Sequence, residues 1–200
     1  MKYKPMLAYP VSSKPIDYSK PVFIQPKLDG VRCLIQYDSG VVTAYSRTGK
    51  VWKNIEHITL NLYKFFDKHP NVVLDGELYN HDFRDDFEQI ISMVRKTKPD
   101  TEARAKSRDN VQFHCYDMVN KRMKFSTRDK WLASNLPLGF GIKKVKTQVV
   151  DESKYSLTTG DMIAKSKHTQ NLLDGYEGSI VRLDTPYQCK RSHSLRKFKD

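Results

Sequence analysis

Cysteine is scarce in this sequence. Only Cys33, Cys115 and Cys189 occur, far apart and odd in number. No CxxC or Cys/His spacing suggests zinc, and no framework suggests disulfides. Long apolar runs are missing too, and nothing approaches the roughly 18 residues a membrane helix needs. The start, Met1 to Pro10, lacks the apolar stretch of a signal peptide. These absences predict a protein kept inside a cell, in the cytoplasm or nucleoid, with reduced thiols and no membrane partner. A viral or phage protein acting in its host fits the same description. Glycine loops of the GxGxxG or GxxxxGK[ST] type are also absent, so neither familiar phosphate cradle is available. Acidic residues are few beside basic ones. There are 23 Asp and Glu against 35 Lys and Arg, a net charge of +12. A chain this basic attracts polyanions, and nucleic acid is the expected partner, although a solvated surface carries similar charge.

What is present is an irregular mixture of strands and helices with a mean hydropathy of −0.65. Pro5, Pro10 and Pro15 mark an extended lead-in. Val22 to Gln25 reads as a strand ended by Pro26, and Val31 to Tyr37 as another that turns at Asp38-Ser39-Gly40 into Val41 to Tyr45. Asn54 is placed to cap a helix with Ile55, Ile58, Leu62, Phe65 and Phe66 on one face. Val72 to Leu74 is a buried strand, and Asp82 opens a helix running through Val94. Residues 98–110 read as a polar connection or short helix. Val111 to Met118 is a strand, and Ser126 or Thr127 caps a helix through Leu132. Lys143 to Val150 alternates like one strand. Thr158 to Leu173 is helical with Met162, Ile163 and Leu172 inward, and strands close the chain at Gly178 to Leu183 and Leu195 to Lys199. The pattern predicts an α+β fold with antiparallel sheets, not a doubly wound parallel sheet.

Several short motifs carry chemistry. Lys27-Leu28-Asp29-Gly30-Val31-Arg32 puts a lysine at a strand end before a turn. Alone it is weak, since KxDG arises by chance in about one 200-residue chain in twenty. Ser46-Arg47-Thr48-Gly49 ends the following strand pair. Asp75-Gly76-Glu77 sets two carboxylates on one side of an extended chain, suited to Mg²⁺ or a ribose hydroxyl, or else a solvated turn. Tyr116-Asp117 ends a strand, and Glu177-Gly178 precedes an apolar one. Lys197 and Lys199 share one face of a strand, where an anion between the two ammonium groups would relieve their repulsion. The six histidines show no ligand spacing and read as surface or packing residues.

The order of these motifs is far more specific than any one. KxDGxR, SRxG, DGE, an aromatic followed by Asp, EGxxV and KxK resembles the motif series of the covalent nucleotidyltransferases: DNA ligases, RNA ligases and mRNA capping enzymes. SRxG, the run Tyr187 to Ser192 and the start Pro5-Met6-Leu7-Ala8 resemble the ATP-dependent DNA ligases in particular. The resemblance spans about Pro5 to Lys199. It implies the DNA ligase/capping-enzyme nucleotidyltransferase fold, ATP-grasp-like, with antiparallel sheets flanked by helices. It implies one adenylation domain over residues 1–200. The OB-fold domain that usually follows in such ligases is expected to be absent from this chain, a departure from the family pattern that predicts slow self-adenylation by these residues alone. It implies Lys27 as the nucleophile that becomes lysyl-AMP and Tyr116 as the adenine platform. Glu77 would hold the ribose, and Gln25 would face the adenine edge. Arg32 and Arg47 would hold ribose and nick phosphate, and Lys197 and Lys199 the α-phosphate. Asp75 and Glu177 would serve Mg²⁺ or Mn²⁺, and Asp29 would position Lys27 or a metal-bound water. The implied partners are ATP and nicked double-stranded DNA, with the protein a monomer. The alternatives are a capping guanylyltransferase or RNA ligase using the same lysine, or a non-catalytic nucleic-acid-binding module.

Overall fold

The structure, a computed structural model, describes residues 1–154 and 156–199. In chain order its elements begin with β1 (Leu7–Pro10), β2 (Val22–Lys27), β3 (Val31–Asp38) and β4 (Val41–Tyr45). Then come α1 (Glu56–Asn61), α2 (Tyr63–Lys68), β5 (Val73–Tyr79), α3 (Glu88–Arg95), α4 (Thr101–Asn110) and β6 (Gln112–Met118). The chain ends with α5 (Phe125–Asn135), β7 (Ile142–Lys144), β8 (Gln148–Val150), α6 (Gly160–Leu173), β9 (Gly178–Leu183) and β10 (Arg191–Phe198). Two compact units result. The first holds Met1–Pro5, Asp29–Val119 and Lys130–Lys144, and the second holds Met6–Leu28, Asn120–Asp129 and Val145–Asp200. Among the described residues no helix is long and apolar enough to cross a membrane.

The first unit is built on a sheet of order β4-β3-β5-β6-β7. Alternation in β3, β5 and β6 sends Cys33, Ile35, Leu74, Leu78, Phe113 and Cys115 to one face. There they join Ile58, Leu62, Phe66, Ile90, Val94 and Leu132 in one core. Each such side chain stabilises the fold by roughly 1.5–3 kcal/mol on full burial. The opposite phase carries Arg32, Asp75, Glu77, His114 and Tyr116, the polar face on which chemistry can be placed. An extra residue in β6, Tyr116, opposes the Asp75–Gly76 step, since Asp75 pairs with Asp117 and Gly76 with Cys115. This bulge brings Asp117 onto the side of Asp75 while Met118 returns to the core.

The second unit is built on a sheet of order β1-β10-β9-β2-β8. Val22 and Ile24 of β2, Val150 of β8 and Val181 of β9 face Ile163 and Ala164 of α6. Both sheets are mainly antiparallel, but each carries one parallel pair, β1 with β10 and β6 with β7.

Tertiary context shifted several expected boundaries. Pro26 does not end β2, which continues to Lys27 in register with Gly178. Asn54 does not cap α1. It sits at φ 54°, buried, and its Nδ2 donates to the carbonyls of Met93 and Ala103. Those distant acceptors outcompete the local cap. Asn80 caps a short turn at His81–Phe83, and the helix expected from Asp82 begins at Glu88. Residues 98–110 contain a full helix, α4, capped by Asp100. The single strand expected over 143–150 is two strands in different sheets, because β7 pairs with β6 and β8 with β2. Met162 is exposed, while its neighbour Ile163 is in the core.

His114, on the polar face of the first sheet, adds an acid-sensitive element. Burial, then the positive charge of Lys143 and His81, lowers its pKa from 6.5 to about 4. The unfolded chain therefore takes a proton near pH 6.5 that the folded chain refuses until about pH 4. Stability is full above pH 6.5 and falls as pH is lowered towards 4, by about 2–3 kcal/mol in total. Urea unfolding at pH 7, 5 and 4 should show this loss in the wild type and a flatter profile in His114→Gln.

Candidate functional site

The second unit carries the lysine set. Lys27 is the last residue of β2, and the backbone N–H of Glu177 donates to its carbonyl oxygen (3.2 Å). The Lys27 ammonium pairs with Oε2 of Glu177, and the Lys199 ammonium pairs with Oε1 of the same carboxylate. One acid thus bridges two cations, and the three residues come from three motifs. Lys197 lies one register step away, opposite Ile180, and among the described residues no hydrogen bond or ion pair reaches its ammonium. Gly178 makes this convergence possible. Its φ is +150°, and a Cβ there would collide with the carbonyl oxygen of Phe198. Only glycine lets the strand after Glu177 approach the Lys197–Lys199 segment this closely.

Gln25, expected at the adenine edge, is only 1% exposed. Its Oε1 accepts from Arg182 Nε (2.7 Å), its Nε2 donates to Thr147 Oγ1 (2.9 Å), and Thr147 donates on to Asp129 (2.8 Å). A guanidinium has only donors, so the amide oxygen must face Arg182, and the orientation of the amide is set. The partners of Gln25 in this relay, Arg182, Thr147 and Asp129, stand outside every motif, and no local spacing announces them.

The first unit carries the carboxylate and tyrosine set. Arg32 on β3 forks onto Asp75 on β5, with Nε to Oδ1 and Nη2 to Oδ2 both at 2.6 Å. The guanidinium also lies over the Tyr116 ring, 5.2 Å from its centroid. The Tyr116 hydroxyl donates to Glu77 Oε2 (3.1 Å). Arg32, Asp75, Glu77 and Tyr116 therefore form one connected group. Gly30 lies against β5, where a Cβ would meet the Leu78 carbonyl and come within 2.9 Å of Glu77 Cγ. The glycine of KxDG is thus required by packing beside Glu77. Asp29 is half-buried and Arg47 is exposed at the tip of a turn closed by Gly49 N–H to Ser46 O (3.0 Å). Neither is brought to another predicted site residue by a hydrogen bond or ion pair among the described residues.

The expected metal ligands differ in fit. Both Asp75 oxygens accept from Arg32, and the residue is 1% exposed, so it serves the arginine and suits a metal poorly. Glu177 is half-buried and already gathers positive charge. Unlike Asp75 it is not sealed in, and once the two ammonium groups turn to a phosphate its carboxylate would fit a hard cation completed by phosphate oxygens and water. Among the described residues no group of three or more His, Cys, Asp or Glu is placed to hold a metal by protein ligands alone.

Two mixed α+β sheets flanked by helices, with a strand-end lysine facing an acid and a second lysine, define a nucleotidyltransferase-type fold. Residues 5–199 match the family model of the ATP dependent DNA ligase domain, and the chain belongs to that family. No curated protein sequence matches it. Among solved structures it is similar to one described as Pmar-Lig_Pre, at 25% identity and a TM-score of 0.76 over 99% of this chain and 46% of that one. It is similar in fold to the ATP-dependent DNA ligase of bacteriophage T7 in complex with ATP, at 18% identity and a TM-score of 0.71 over 99% and 69% of the two chains. The Chlorella virus DNA ligase-adenylate gives 19% identity and a TM-score of 0.67 over 100% and 68%. The chain spans about half the length of the first of these relatives.

Proposed function

We propose that this chain is the adenylating part of an ATP-dependent ligase that seals nicks in double-stranded DNA, acting as a monomer. The observation that carries the reading is the Lys27–Glu177–Lys199 bridge, which joins residues 150 and 22 positions apart at three motifs of the matched family. An ammonium held on a carboxylate is not a nucleophile, so ATP has to break the Lys27–Glu177 pair before reaction. The triphosphate supplies the charge to do so, drawing Lys197 and Lys199 onto the α-phosphate. Lys27 Nζ, after losing a proton, then attacks the α-phosphorus. A P–N bond forms, the bond to the bridging oxygen breaks, and pyrophosphate leaves. Tyr116 stacks on adenine, Glu77 holds the ribose, and Gln25, fixed by Arg182, backs the base. Mg²⁺ or Mn²⁺, held by Glu177 with phosphate oxygens, supplies charge neutralisation when bound. In the second step an oxygen of the nick 5′-phosphate, held by Arg32 and Arg47, takes AMP from Lys27 and the P–N bond breaks. The 3′-hydroxyl then attacks that 5′-phosphate and expels AMP. Asp29 serves to orient Lys27.

The test is incubation with Mg²⁺ and α-labelled ATP or GTP, followed by denaturation. Acid-labile, alkali-stable label from ATP is the expected result. Label from GTP moves the chain to capping chemistry. If neither nucleotide labels the protein, sealing of a pre-adenylated nick separates a ligase core from a protein that only binds nucleic acid.

A further inference from the structure

The helix behind the lysine set carries a histidine that the mechanism does not use. His168 of α6 is 4% exposed. Its ring is stacked on Phe198, with centroids 3.8 Å apart and planes within 8°. Its Nδ1 lies 3.1 Å from Ser179 Oγ, and Asn171 Nδ2 donates to the same oxygen (2.8 Å). A Cβ on Gly178 would stand 3.4 Å from His168 Cε1. Phe198 is the residue between Lys197 and Lys199, and Ser179 follows Glu177 by two. One buried imidazole thus touches both segments whose charges meet in the site, from the opposite face of the sheet. Phe198 and Ser179 are also paired across β10 and β9. The histidine therefore contacts both members of the strand pair that lies next to Glu177 and Lys199.

We infer that His168 is a positioning residue: stacked on Phe198 and bonded to Ser179, it sets the approach of Glu177 to Lys199 and Lys27. Its consequence for rate rests on the proposed adenylation chemistry, whereas its geometry does not. The ring supplies what an aliphatic residue lacks. A flat face matches Phe198 closely, and a polar edge satisfies the Ser179 hydroxyl within the same side chain. Removal leaves a cavity under Phe198, so the Lys197–Lys199 segment can sink or swing. Displacements of about 1 Å in a phosphoryl-transfer site are enough to lower rate by about 100-fold.

Competitive acetylation of lysines in the intact chain, read by peptide mass spectrometry, tests the geometry without requiring activity. Lys20, whose side chain is 78% exposed, serves as the internal standard. His168→Ala should raise the labelling of Lys27 and Lys199 by about threefold or more as the Glu177 bridge loosens. Its AMP-transfer rate should fall by about 10- to 100-fold. His168→Phe keeps a ring on Phe198, and its labelling should stay within about twofold of wild type. Ile163→Ala, a core change on the same helix, should lower the melting temperature without raising labelling. If His168→Ala does not fold, His168→Gln, which keeps a polar group for Ser179 but no ring, is read in its place. Wild-type labelling in the folded variant overturns the inference, as does an equal rise in Ile163→Ala. A wild-type chain that takes no AMP counts against the adenylation reading, and the labelling arm still decides this one.

Discussion

Lys27→Ala will take no label from α-labelled ATP under conditions in which the wild-type chain becomes covalently adenylated. The expected loss is at least about 10³-fold, because the amine that forms the bond is removed. Lys199 is the nearest other amine on the shared carboxylate, and it belongs to a different strand end. Lys27→Arg separates charge from nucleophilicity. It keeps a cation for Glu177 yet cannot lose a proton at ordinary pH, so it too should take no label. Both variants should melt close to wild type, since the Lys27 side chain is partly exposed and its removal leaves Lys199 on Glu177. Retained label in Lys27→Ala, mapped to another lysine, would move the nucleophile. Unchanged total label would remove the present assignment altogether.

Asp75→Ala will lower stability by about 3–5 kcal/mol, the cost expected when one member of a buried ion pair is removed. The pair is a two-pronged fork at 2.6 Å with Asp75 at 1% exposure, so it differs from the surface bridges elsewhere in the chain. Arg32→Ala should cost a similar amount, because a carboxylate then loses its main charge partner in the sheet. The double variant should lose less than the sum of the two, with a coupling of about 2 kcal/mol or more. Arg32→Lys should recover little, since an ammonium cannot make the paired bonds. Urea unfolding of the four proteins completes the cycle. The same substitutions should impair AMP transfer to a 5′-phosphorylated nick more than lysine labelling, because Arg32 is proposed to hold that phosphate. A loss below about 1 kcal/mol in Asp75→Ala would show the fork to be ornamental to stability.

The hairpin of β3 and β4 was legible because alternation and the Ser39-Gly40 turn fix it locally. β9 was legible for the same reason, as an apolar run with clear ends. Lys27, Glu77, Tyr116, Glu177 and Lys199 could be singled out because motif order is a property of the string. The pairing of those residues was not legible. Asp75 and Glu177 read alike as acids beside glycine, and each was expected at the metal. Asp75 instead faces Arg32 because β3 and β5 pair in a register that sets their side chains on one sheet face. Glu177, still the acid proposed to serve the metal, also bridges Lys27 and Lys199, because β9 lies between β2 and β10.

By itself, then, the sequence determined the family, the basic character and most of the local elements. Those depend on residue type, period and spacing within a few positions. Only the tertiary structure decided that Asn54 serves α3 and α4 instead of capping α1, that residues 143–150 divide between two sheets, and that His168 stacks on Phe198 and meets the Ser179 hydroxyl. Each of these joins atoms remote in the chain. Their partners compete with local ones by geometry and burial, and neither quantity exists until the strands have paired.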